Sequence, residues 1–189
     1  MRRREILAGL GSVGAIGGAG LVSMYGLPPI EGSIGETDGD ASPASVPDPI
    51  TIETIDAPGS EDGEVSIPAT DRATFIDFFG TWCPPCVEQM PALGEVNERI
   101  GESVRFVSVT TEAVGRSVRE EEIVEWWDEH DGNWLLGIDP TAELAEQYLA
   151  GGYPSAVAID DSGRVQWSES GVKTADELVA GIQQAIDTR

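Results

Sequence analysis

Both cysteines of this 189-residue chain lie in one short run, Trp82-Cys83-Pro84-Pro85-Cys86, between an apolar segment and a stretch of helical character. The preceding segment, Thr74-Phe75-Ile76-Asp77-Phe78-Phe79, is almost continuously apolar, which predicts a strand covered on both faces and therefore central in a sheet. A helix is expected over residues 84–100, interrupted by Pro91. A buried strand that ends where a helix begins calls for an α/β domain. With two residues between them, Cys83 and Cys86 come within bonding reach across the first helical turn and can cycle between dithiol and disulfide. Cys83 would stand at the helix N-terminus, where unpaired N–H groups and the helix dipole favour an anion. It is therefore the expected attacking sulfur, and Cys86, one turn deeper, the resolving one. Pro84 and Pro85 have no N–H, so the Cys86 amide is the nearest backbone donor left for the Cys83 sulfur. The Cys83 pKa should accordingly be lowered moderately rather than extremely.

Short apolar runs alternate with amphipathic stretches on both sides of this junction. Residues 51–55 and 64–67 read as a strand pair, with Pro58-Gly59 and Asp62-Gly63 as turn signals. Residues 104–109 predict a second buried strand and 118–129 an amphipathic helix carrying Ile123, Val124, Trp126 and Trp127. Adjacent tryptophans cannot share one direction, so one should pack and the other partly shield. A short strand over 134–138 precedes Asp139-Pro140, which would cap a helix running to about Leu149. Residues 156–159 and 165–168 form an expected hairpin across Asp161-Ser162-Gly163, and a capping box, Thr174 with Glu177, opens the last helix. Trp134 and Trp167 read as core or sheet-face residues, and His130 as a surface residue at a helix end.

Composition narrows the function classes. The chain carries 34 acidic against 11 basic residues, a formal charge of -23, which repels phosphates and excludes a nucleic-acid reader. One histidine and two cysteines supply three of the four ligands that a closed zinc site needs, so no structural metal is expected, and no cofactor is implied. Lys173 is the only lysine, and such an acid-rich, lysine-poor surface resembles proteins of extreme halophiles.

The N-terminal region is organised differently. Arg2, Arg3 and Arg4 precede a weakly apolar run with six glycines between Ala8 and Val22, which fits an export signal of twin-arginine type or a membrane anchor over residues 1–30. From Ile6 to Val22 is 17 residues, short of the roughly 20 that span a bilayer comfortably. Residues 31–50, rich in Gly, Ser, Pro and acids, predict a disordered acidic tether, and residues 51–189 the folded domain.

The order of strand, Trp-Cys-x-x-Cys and helix resembles the thioredoxin superfamily over most of residues 50–189. That resemblance implies a three-layer fold with a central mixed sheet, an N-terminal hairpin and a helical insert. It also implies that Asp77, six before Cys83, is a buried acid taking the proton of the resolving cysteine, and that Pro91 kinks the first helix. Tyr153-Pro154 falls where the superfamily has its cis-proline loop, so the Tyr153 backbone would pair with an extended substrate beside the disulfide. Trp82 would pack beside the disulfide and, with Pro84 and Pro85, border the bound substrate. The segment between Val109 and Asp139, the run Phe78 to Pro91 and the leader with its tether are similar to the TlpA/ResA group of exported thiol-disulfide oxidoreductases. By that resemblance the substrates are protein thiols and disulfides outside the cytoplasm, apocytochrome c among them, with a membrane thiol transporter as electron donor. Members of the group can carry a glutamate in the insert near the active site. Glu112 stands closest to that position, with a solvated loop acid as the alternative.

Two other functions use the same cysteines. A peroxiredoxin-like peroxidase shares the fold, but the Pro-x-x-x-Thr context is missing, although Thr81 stands two before Cys83, and Trp82 crowds the site. A redox sensor or copper-delivery module would hold a soft ion on Cys83 and Cys86, with Met90 as the one methionine near enough to help. A static staple is disfavoured against a redox pair, because a disulfide closing so small a loop adds little stability. The charge excess makes its own prediction: molar salt should screen the carboxylates and raise the melting temperature relative to low salt, and a flat or falling melting curve series would contradict it.

Overall fold

The structure is a computed structural model, and it describes residues 46–188. The export-signal reading of residues 1–30 and most of the tether lie outside the described residues. Among the described residues no helix is long and apolar enough to cross a membrane.

Seven strands form one sheet in the order β2-β1-β5-β4-β3-β6-β7. The N-terminal hairpin consists of β1 (Ile50–Thr54) and β2 (Gly63–Ile67), and each strand buries alternate residues, as expected where one face is covered. β3 (Thr74–Phe79) is buried at all six positions and lies inside the sheet, between β4 and β6. It runs parallel to β4 (Arg105–Thr110), which in turn runs parallel to β5 (Leu135–Ile138). β6 (Ser155–Ile159), wholly buried, and the edge strand β7 (Val165–Ser170) complete the antiparallel side.

The alternation of β3 sorts the core into two layers. Phe75 and Phe79 join the apolar cluster built with α1 (Pro84–Ile100), α2 (Glu120–Glu129) and α4 (Ala175–Ile186). Ile76 and Phe78 join the opposite cluster, with Leu144 and Ala145 of α3 (Glu143–Gln147). Helices thus cover both faces of a mixed open sheet, and α2 is the helical insert between β4 and β5.

Three sequence expectations need correction. α1 runs unbroken for 17 residues through Pro91. The helix expected directly after Asp139 starts later and is short: Ala142, at φ 59°, precedes α3, while the Asp139 carboxylate still accepts the Ala145 amide at 3.0 Å. Asp139 therefore acts as a cap across a turn rather than as the adjoining N-cap. Trp126 and Trp127 are both buried, since each finds rings from other segments: Phe79 stacks on Trp126 at 4.9 Å and meets Trp127 at 6.0 Å, and Trp134 meets Trp127 at 4.9 Å. His130 closes α2, half-buried, with its ring stacked 4.5 Å from that of Trp126 and Nδ1 2.7 Å from the Trp126 carbonyl oxygen.

The capping box of α4 forms as the sequence implies. The Thr174 hydroxyl oxygen accepts the Glu177 amide, and the Glu177 carboxylate accepts the Thr174 amide at 2.8 Å. Thr174→Ala should cost about 1 kcal/mol, read as a lower denaturant midpoint at unchanged slope, with Thr174→Ser restoring most of it.

Candidate active site

Strand register brings three loops to one end of the sheet. Phe79 pairs with Thr110 of the parallel β4, and Phe78 pairs with Ser155 at the start of the antiparallel β6. The segments 80–83, 110–112 and 153–154 therefore leave or enter the sheet side by side. Cys83 is the N-cap of α1, and its Sγ accepts the Cys86 amide at 3.3 Å. The two prolines occupy the first helical positions, so this is the local donor the sequence predicted. The cysteines are joined as a disulfide with Cα atoms 5.3 Å apart, and both are buried.

Charge placement around this helix start is unusual for so acidic a chain. The first turns of α2, α3 and α4 all carry Asp or Glu, whereas that of α1 carries none. Anionic side chains are the ordinary complement of a helix N-terminus, and leaving them out reserves the positive end for the Cys83 sulfur.

Asp77 lies on the β3 face of Phe75 and Phe79, beneath the layer that holds Cys83, Cys86 and Met90. It is 2% exposed and accepts one hydrogen bond, from the Ser108 hydroxyl at 3.1 Å; the Trp134 indole N–H donates in turn to that hydroxyl at 2.9 Å. Burial pushes the carboxyl up from the ordinary carboxylate range to about 7, and the Ser108 bond only partly opposes it. Ser108 and the polar use of Trp134 are not separable from core residues in the sequence, because the cross-strand partner of Asp77 is set by register.

Glu112 is no solvated loop acid. Its carboxylate accepts the Thr81 amide at 2.7 Å and the Thr81 hydroxyl at 2.9 Å, and Thr110 donates to it at 3.2 Å. It thereby ties the 110–112 loop to the turn that leads into Cys83, whose amide donates to the Gly80 carbonyl at 3.1 Å. Gly80 lets the Trp82 indole lie over it, since a Cβ there would come within 2.8 Å of that ring and push it aside. The Trp82 ring is 65% exposed and meets the Tyr153 ring edge-on at 5.7 Å. Tyr153 is fixed from its other end by a 2.6 Å hydrogen bond between its hydroxyl and that of Thr111. The Tyr153–Pro154 peptide is cis, as is Ile67–Pro68, which the sequence did not signal. Pro84 and Pro85 are exposed beside Trp82.

Gln89, one turn beyond Cys86, is buried and clips α1 to the loop before α4: its amide donates to the Lys173 carbonyl at 3.0 Å and accepts the Lys173 amide at 2.7 Å. The same loop returns to the cis-proline segment through Gly171, whose amide donates to the Pro154 carbonyl at 2.8 Å.

A mixed sheet with a Cys-x-x-Cys disulfide at the head of its first helix, facing a cis-proline loop, defines a protein of thioredoxin-like fold. The crystal structure of StoA from Bacillus subtilis superimposes with a TM-score of 0.59 at 24% identity, covering 71% of this chain and 96% of that one. The chain belongs to the Redoxin family, whose model matches residues 39–186. It is 26% identical over 114 residues to the thiol-disulfide oxidoreductase ResA of Bacillus cereus, matching 60% of this chain and 63% of that protein. It is 25% identical over 148 residues to the sporulation thiol-disulfide oxidoreductase A of Bacillus subtilis, matching 76% of this chain and 84% of that protein.

The buried carboxyl has a pH signature. Folded Asp77 keeps its proton to about pH 7, whereas an unfolded aspartic acid releases it near 4, so its contribution to stability is present below about pH 4 and is lost as pH rises through 7. The oxidised protein should lose stability relative to Asp77→Asn across that window, by a few kcal/mol at most, in urea unfolding at a series of pH values. A difference between the two that is constant from pH 4 to 8 would refute the raised value.

Proposed function

We propose that this chain is a thiol-disulfide oxidoreductase that reduces protein disulfides outside the cytoplasm through Cys83 and Cys86. The observation that carries the reading is the Cys83 sulfur held by the Cys86 amide at an acid-free helix start, above a buried Asp77 that titrates near neutrality. The two relatives named thiol-disulfide oxidoreductases support it.

In the reduced protein, the Cys83 thiolate attacks a substrate disulfide, forming a mixed disulfide and releasing one substrate thiolate. Cys86 then loses its proton to the Asp77 carboxylate and attacks the Cys83 sulfur, releasing the second substrate thiolate and closing the Cys83–Cys86 disulfide. Two electrons pass from the cysteine pair to the substrate; of the two protons its thiolates take up, one is that which Cys86 gave to Asp77 and the other comes from solvent, to which the Cys83 thiol released its own on ionising. A dithiol donor at the membrane must return the electrons, which is the part a membrane thiol transporter would take. Trp82, Pro84, Pro85, Tyr153 and Pro154 stand at the same end of the sheet as the cysteine pair and would contact the substrate segment, with the Tyr153 backbone pairing as an added strand. Glu112 is a positioning residue, acting on Cys83 through Thr81. An apocytochrome c with its paired cysteines oxidised is a substrate of the right chemistry. Location outside the cytoplasm rests on the arginine-led N-terminus with its weakly apolar run.

Insulin-disulfide reduction with dithiothreitol as donor tests the reaction. Cys83→Ser should abolish turnover, while Cys86→Ala should accumulate a mixed disulfide at Cys83 that dithiothreitol releases. Full activity in Cys83→Ser, or trapping through Cys86 instead, would defeat the assignment.

A further inference from the structure

Leu149 carries a large apolar side chain that folding does not bury. It is the left-handed residue, φ 53°, of the cap that closes α3, with its amide donating to the Glu146 carbonyl at 3.2 Å and the Ala150 amide to the Ala145 carbonyl at 2.9 Å, but its side chain is 87% exposed, so packing returns nothing for it. On this acidic surface large apolar side chains are seldom exposed, and Trp82 and Leu149 are the most exposed of them among the described residues. Tyr153 connects the two. Its ring meets Trp82, and it lines, together with Leu149, Ala142, Ala145 and Ala150, an apolar depression of about 500 Å³ with Glu146 at its rim. The Thr111 hydrogen bond fixes Tyr153 as a wall of that depression, with Trp82 against its ring.

We propose that this depression is a substrate subsite, one that takes a large apolar side chain neighbouring the reactive half-cystine of an extended polypeptide and prefers a basic residue beside it. The proposal rests on the oxidoreductase reading. Its occupant follows from continuity and charge. The depression shares Tyr153 with the segment on which the substrate backbone would lie, and alternate side chains of an extended strand fall on one side about 7 Å apart, so a residue near the half-cystine reaches over that wall. Glu146 and the chain's excess of carboxylates favour a cationic neighbour.

Two peptide disulfides, identical except for leucine or alanine two residues from the half-cystine and each carrying an adjacent arginine, would be compared in steady-state reduction. The wild-type protein should favour the leucyl peptide about tenfold in kcat/KM, mainly through KM, roughly half the transfer energy of a leucine side chain. Leu149→Gly suits the left-handed backbone and should fold at least as well; in it the ratio should fall towards one. A merely structural role would change both peptides alike and leave the ratio intact, which would overturn the proposal. So would a wild-type ratio near one. Failure to reduce either peptide would instead defeat the oxidoreductase reading itself. Exchanging the arginine for aspartate should slow the leucyl peptide, and Glu146→Gln should narrow that gap; a gap it leaves unchanged removes the cationic preference. A wild-type dimer in sedimentation that Leu149→Gly dissolves would assign the face to a second copy and refute the subsite.

Discussion

Complete burial of β3 is the constraint from which the site follows. A strand with no exposed position must have neighbours on both edges and helices on both faces, so it can only be central. Its C-terminal end then opens between the ends of β4 and β6, and whatever follows Phe79 is delivered to that part of the sheet's rim. The cysteine pair is that delivery. Had the same five residues followed an edge strand such as β7, they would have met neither the cis-proline segment nor Glu112.

The same burial creates the chemistry beneath the cysteines. A single carboxyl placed in an otherwise apolar strand loses its solvation and is left one hydroxyl partner, Ser108. The desolvation penalty is what moves Asp77 toward neutrality, and it would be cancelled by a second donor or a nearby cation. An acid at the surface of this chain is one among many; this one differs because the sheet encloses it.

Much of the architecture was legible because it depends on local pattern. The strand runs, the turn signals, the capping box at Thr174 and the Cys83–Cys86 junction are statements about neighbours in sequence, and the structure reproduces them within a residue or two. Local reasoning failed where a distant partner overrode it. Asp139 next to Pro140 has the signature of an adjoining cap, yet the chain makes another turn and α3 begins only at Glu143. Pro91 removes one hydrogen bond from α1, but that helix is packed along its length by Met90, Leu93 and Val96, which keep it continuous. The adjacent tryptophans are both buried because rings from distant segments, Phe79 and Trp134, pack against them.

Sequence by itself determined the cysteine pair, its helix-start setting and the Cys86 amide as the donor left to the Cys83 sulfur, since each concerns atoms within four residues. The apolar run around Asp77 also predicted a strand covered on both faces, and the resemblance to the thioredoxin superfamily implied that Asp77 would be its buried acid. Only tertiary structure decided that Glu112 holds Thr81, that Ser108 and Trp134 stand under Asp77, and that Gln89 links α1 through Lys173 and Gly171 to Pro154. These contacts join segments far apart in the chain, and their pairing is set by strand register and layer packing, quantities that no short window of residues contains.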